Sequence, residues 1–90
     1  QDMNYAQGYY YLALVRFAEK DYEEAVECMK RAIMYDVNNA SYYAKMSEIY
    51  KALEDYKTAL EYIKEAESIS GSTEYKIMFT ELAGLNRKSK

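Results

Sequence analysis

The amino-acid sequence predicts an all-α protein built from stacked antiparallel helical hairpins, and three observations carry that expectation. First, the chain repeats itself at a spacing of 34 residues. Asp2, Asn4, Ala6, Tyr9 and Ala18 fall on Asp36, Asn38, Ala40, Tyr43 and Ala52, and Asp21, Tyr22, Ala25, Glu27, Lys30 and Ala32 fall on Asp55, Tyr56, Ala59, Glu61, Lys64 and Ala66. A fixed period of this size signals supersecondary units that bury their apolar faces on one another. Second, proline is absent and glycine appears only three times in 90 residues, a composition suited to nearly continuous helix. Third, apolar residues recur at helical spacing in four segments and in altered form in a fifth.

The first helix is expected from about Ala6 to Ala18, where Tyr9, Leu12, Ala13 and Arg16 share one face. Lys20–Asp21 breaks it. Asp21 can cap the second helix, and Glu24 three residues on makes a capping-box-like pair. That helix runs to about Tyr35 with Ala25, Met29, Ala32 and Ile33 inward. Asp36-Val37-Asn38-Asn39 then reads as a turn of residues that hydrogen-bond their own backbone. Tyr43, Met46, Ser47 and Tyr50 mark a third helix, Glu54–Asp55 a second break, and Ala59, Ile63 and Ala66 a fourth helix. Gly71 suits a helix C-cap, and a fifth helix is expected from about Glu74 to Asn86.

Small residues let the helices of each pair approach closely. Ala13 and Ala25 in the first pair, and Ser47 and Ala59 in the second, stand where the helices would cross. The expected core is Tyr9, Leu12, Ala25, Met29, Ala32, Tyr43, Met46, Ala59, Ile63 and Ala66.

Composition narrows the function. The net charge of −3 argues against nucleic acid, whose phosphates demand a concentrated basic face. Arg87, Lys88 and Lys90 form the one basic cluster and read as a frayed tail. No apolar run approaches the roughly 18 residues of a membrane-spanning helix, so no membrane insertion is expected. Histidine is absent, which removes the commonest general base and metal ligand. Cys28 is the single cysteine, so it has no internal disulfide partner, and a cytoplasmic setting is expected over a secreted one. Glu23, Glu24 and Glu27, and separately Glu61 and Glu65, read as solvated helix faces with lysines nearby rather than as a metal or acid–base site. No enzyme and no cofactor are expected.

These residues resemble the tetratricopeptide repeat, whose signature is an aromatic, Leu-Gly, Tyr, then Ala, Phe, Ala and Pro at set spacings. The first repeat supplies Tyr9, Leu12, Ala13, Ala25, Met29 and Ala32; the second supplies Tyr43, Met46, Ser47, Tyr50, Ala59, Ile63 and Ala66. The chain departs from the pattern at Arg16, Val37 and Gly71. It departs most in the last helix, where Ile77, Thr80, Glu81 and Gly84 hold the signature places. The resemblance implies an α-α superhelix of two repeats, residues 6–39 and 40–73, followed by a C-terminal helix and basic tail over 74–90. By register, residues 1–5 read as the exit turn of an upstream repeat, so the chain is expected to be a fragment of a longer array.

In that family the first helix of each repeat lines a concave groove for a peptide or helix. The resemblance places Gln7, Tyr10, Tyr11, Leu14 and Phe17 there from the first helix and Ser41, Ala44, Lys45, Glu48 and Lys51 from the third. The fifth contributes Tyr75, Met78, Phe79, Leu82 and Leu85. Family members that grip a chaperone's acidic C-terminus use lysine, asparagine and arginine. Here those places hold Tyr10, Leu14, Lys45, Tyr75 and Phe79, so that ligand is disfavoured. Two alternatives stay open: the Tyr10, Leu14 and Phe17 stripe could pack on a neighbouring helix, and the last helix could roll to bury Met78, Leu82 and Leu85 on the fourth. The functional expectation is a protein or peptide partner, with homo-oligomerisation through apolar end helices as the alternative.

Overall fold

A computed structural model describes the backbone of residues 3–89 and the side chains of residues 4–89. Five helices follow one another with no strand among the described residues: α1 (Met3–Ala18), α2 (Tyr22–Tyr35), α3 (Ala40–Ala52), α4 (Tyr56–Ser70) and α5 (Thr73–Lys88). The substantial helix–helix packing lies between sequence neighbours, α1 on α2, α2 on α3, α3 on α4 and α4 on α5. That is the arrangement of a stack rather than of one closed core.

Side-chain caps start the helices where the sequence places them. Asp21 accepts from the Glu24 N–H at 3.3 Å, Asp55 from the Thr58 N–H at 3.2 Å, and Asn39 from the Ser41 N–H at 3.1 Å. Each satisfies a donor that an isolated helix start leaves open. The Asp21 N–H donates to the Arg16 carbonyl instead. The two breaks are built alike. Lys20 and Glu54 sit at φ 65° and 63°. Their N–H groups donate three residues back, to Phe17 and Lys51, while Asp21 and Asp55 reach five back, to Arg16 and Tyr50, all at 2.9 Å. This is the paired hydrogen-bond closure that normally takes glycine, and neither repeat has one there. Gly71, at φ 69°, does cap α4.

The small residues sit where the hairpins cross. Ala13, Ala25, Ser47 and Ala59 are all fully buried. The Ser47 Oγ donates to the Ala59 carbonyl at 2.8 Å, so the hydroxyl enters the core with its hydrogen bond satisfied. Of the expected core, Ala25, Met29, Ala32, Met46, Ala59, Ile63 and Ala66 are fully buried.

Three expected core residues are not. Tyr9 and Tyr43 are half-buried, because tyrosine packs its ring while leaving the hydroxyl end near water. Tyr9 stacks on Tyr35 and Tyr43 on Tyr62, and the Tyr43 hydroxyl donates to the Val37 carbonyl at 2.9 Å. Leu12 is 38% exposed, whereas its counterpart Met46 is fully buried. Met46 belongs to the cluster that α1 and α2 form with α3; no helix covers the same face of α1 among the described residues.

Both chain ends differ from expectation. The helix begins at Met3, so residues 3–5 are helical rather than an exit turn, and Gln1 and Asp2 lie outside the described residues. Arg87 and Lys88 belong to the last turn of α5 rather than to a frayed tail, and cations at a helix C-terminus oppose the dipole there favourably. Lys90 lies outside the described residues.

Helix α5 is rolled relative to the repeat register. Ile77, Thr80 and Glu81 face solvent, and Leu82 is 3% exposed. Leu82 joins Ala44, Ala59, Ile63 and Ala66 in the second core cluster, with Tyr75, Met78, Phe79 and Leu85 packed around them. The roll follows from composition: a face of Thr80 and Glu81 buries no apolar area, whereas Met78, Phe79, Leu82 and Leu85 do.

Candidate functional site

One concavity is a cleft of about 670 Å³, within the size range of pockets that hold ligands. Three helices wall it. Helix α1 contributes Phe17; α3 contributes Ser47, Glu48, Lys51 and Ala52; α5 contributes Met78, Glu81, Leu82 and Leu85. Glu54, from the α3–α4 break, and Tyr56, the first residue of α4, complete it. Positioning follows from the stack: the first helix of each pair turns one flank toward the same side, and the rolled α5 closes the far wall.

Six of the fifteen groove residues expected from sequence line this cleft: Phe17, Glu48, Lys51, Met78, Leu82 and Leu85. Leu82 does so from the floor, being buried in the core rather than standing free. The other nine lie outside the wall. Tyr10 stacks on Tyr42 at 4.9 Å, which ties α1 to α3. Leu14 is half-buried, as is Tyr75, which packs against the second core cluster. Burial, and then the neighbouring Glu74, push the Tyr75 hydroxyl's pKa upward, so it stays a neutral donor at neutral pH. The Lys45 ammonium bonds the Glu48 carboxylate at 2.6 Å and lies 5.5 Å from the Phe17 ring centre. Those two contacts, one charge-assisted and one to an aromatic face, hold Lys45 in place. Ala44, also expected in the groove, is buried in the core.

Sequence reasoning missed Ser47, Ala52, Glu54, Tyr56 and Glu81 as cleft residues. Glu54 was legible as a helix break, but its left-handed conformation and the aim of its side chain were not. Glu81 required the roll of α5.

The chemistry available here is apolar contact framed by carboxylates and an ammonium. Among the described residues no group of three or more His, Cys, Asp or Glu is arranged to hold a metal ion. Cys28 lies away from the cleft and is buried; burial, reinforced by Glu24, raises its thiol pKa and disfavours the nucleophilic thiolate. Glu23, Glu24, Glu27, Glu61 and Glu65 are all exposed. No helix among the described residues is long and apolar enough to cross a membrane.

Comparison with known proteins agrees with this architecture. Models of the tetratricopeptide repeat match residues 6–39 and 40–73. Over 48 residues the chain is 38% identical to the small glutamine-rich tetratricopeptide repeat-containing protein of Dictyostelium discoideum; that stretch is 53% of this chain and 14% of the relative. The chain therefore spans a small part of that relative's length. The crystal structure of MamA superposes with a TM-score of 0.76 at 20% identity, covering 98% of this chain and 62% of MamA. The second such domain of Spaghetti (RPAP3), bound to the HSP90 peptide SRMEEVD, gives a TM-score of 0.76 at 22% identity, covering 94% and 86%. At these identities the likeness establishes the fold.

Proposed function

The chain belongs to the tetratricopeptide repeat family, a family of protein-interaction scaffolds, and on that premise we propose that it takes a peptide or helix of a partner protein in the cleft between α1, α3 and α5. The observation that carries this reading is the cleft itself. Its size suits one or two side chains, and half-buried Phe17, Met78 and Leu85 offer apolar area. Polar groups from three separate elements surround that area and would fix a ligand's direction. Peptide recognition in a relative of the same fold supports the reading by analogy.

Ala52 supplies the test. It lines the cleft yet is exposed, so Ala52→Trp adds bulk inside the cleft without removing any packed atom. Short random peptides displayed on phage, panned against the whole chain, supply ligands whose affinities fluorescence anisotropy then measures. Ala52→Trp should cut those affinities at least about tenfold with the thermal midpoint unchanged. Unchanged affinity in the folded variant assigns binding elsewhere.

A second reading, self-association through the ends of the stack, is carried by the exposed apolar residues Leu12 and Val15 on α1 and Ile77 on α5. Sedimentation equilibrium over a wide concentration range tests it, and a constant monomer mass rejects it.

A further inference from the structure

We propose that the cleft selects a basic, apolar segment: one large apolar side chain seated against Phe17, Met78 and Leu85, with flanking Arg or Lys residues paired to Glu54 and Glu81. The proposal rests on the cleft being the binding site and adds the chemistry of its occupant.

The charges of the wall decide the sign. Glu48, Glu54 and Glu81 line the cleft against a single lysine, Lys51. Lys45, on the same helix, stands outside the wall and is bonded to Glu48. The Glu48 charge is therefore largely met from within the protein. Glu54 and Glu81 are different: among the described residues neither carboxylate has an ion-pair or hydrogen-bond partner. Two unmet carboxylates thus border the apolar floor, from different structural elements, with Lys51 the one cation among the lining residues. An acidic segment entering here would meet three carboxylates, and like charges brought together oppose association. A basic segment would find two open acceptors. Arginine suits the site best, because its hydrocarbon stem can lie along Met78 and Leu85 while its fork reaches a carboxylate.

The backbone that carries the two carboxylates is well anchored. Glu54 sits in the left-handed closure of the break, its N–H donated to the Lys51 carbonyl at 2.9 Å, so its side chain leaves a fixed backbone. Glu81 rises from the middle of α5, next to buried Leu82. This arrangement favours a ligand opposite in charge to the acidic peptide carried by the Spaghetti domain.

Charge reversal tests the proposal without disturbing the fold. The position equivalent to Glu54 in the first repeat is Lys20, which adopts the same backbone conformation, so Glu54→Lys is compatible with the break. Glu81 is exposed and unpaired, so Glu81→Lys is equally mild. The probes are two synthetic helical peptides with the same leucine anchors, one carrying arginines and the other glutamates at the flanking positions. Anisotropy titrations with the wild-type chain should show the arginine peptide at least about tenfold tighter. Glu54→Lys and Glu81→Lys should each weaken it about fivefold, and raised salt should narrow the gap between the peptides. Equal or tighter binding of the glutamate peptide overturns the charge assignment. If binding ignores both reversals but is lost in Ala52→Trp, the cleft stands and the basic ligand falls. If Ala52→Trp also leaves binding intact, both fall.

Discussion

Helices α1 and α3 occupy the same place in successive repeats, yet their equivalent faces live in different surroundings. Tyr42, Met46 and Ile49 of α3 are buried, at 4%, 0% and 0% exposure, in the cluster built with α2. Thirty-four residues earlier stand Gly8, Leu12 and Val15, all exposed. The helix type, the register and the apolar character of Leu12 and Val15 are shared. The difference is the neighbour: α2 covers this face of α3, and no described helix covers the same face of α1. In a stack, a residue's burial is therefore set by the presence of the next unit as much as by its own pattern. The substitution of Gly8 for Tyr42 fits this contrast, since a Cβ at Gly8 would meet no atom within 4 Å.

The contrast yields graded expectations. The largest effect belongs to Met46→Ala, which should cost about 2–5 kcal/mol in urea unfolding, a large share of what so short an array holds. A cost below about 0.5 kcal/mol would place Met46 outside the core. Next is the hairpin crossing. Ser47→Ala leaves the Ala59 carbonyl without its hydroxyl donor and should cost about 1 kcal/mol; the first repeat has alanine at that place, so Ala13→Ser should bring no matching gain. An unchanged midpoint for Ser47→Ala would show that the hydrogen bond is unimportant. The breaks should respond alike because they are built alike. Lys20→Gly and Glu54→Gly each remove a side chain from a left-handed backbone and should raise stability by about 0.5–1 kcal/mol. A response confined to one repeat would contradict their equivalence. Smallest is Leu12→Ala, at about 1 kcal/mol or less.

The same contrast explains which features the sequence made legible. Helix number, breaks and crossing points were readable because they depend on contacts inside a repeat: Asp21 and Asp55 cap locally, and Ala25 and Ala59 meet helices a few residues away. Leu12 was misjudged because its partner would come from outside the pair. Tyr42 and Ile49 were overlooked because they face the previous repeat rather than their own. Helix α5 shows the same effect from the other end. Its signature places hold Ile77, Thr80 and Glu81, so it turned a different face, that of Leu82, to α4. The expected groove accordingly shares Phe17 and, along α3, Glu48 and Lys51 with the cleft. It was incomplete where the roll of α5 and the left-handed break brought in Glu81 and Glu54.

The central claim is that the neighbour, not the residue, sets the energy of this face. Fusing a second copy of residues 6–39 ahead of the first repeat would lay an α2 over Gly8, Leu12 and Val15. The decisive measurement is the Leu12→Ala cost in urea unfolding, with and without that added repeat. In the repeat-extended chain it should rise from about 1 kcal/mol or less to about 2–5 kcal/mol, the cost of deleting a fully buried side chain. An unchanged cost would contradict the claim and return the difference between Leu12 and Met46 to the helices themselves.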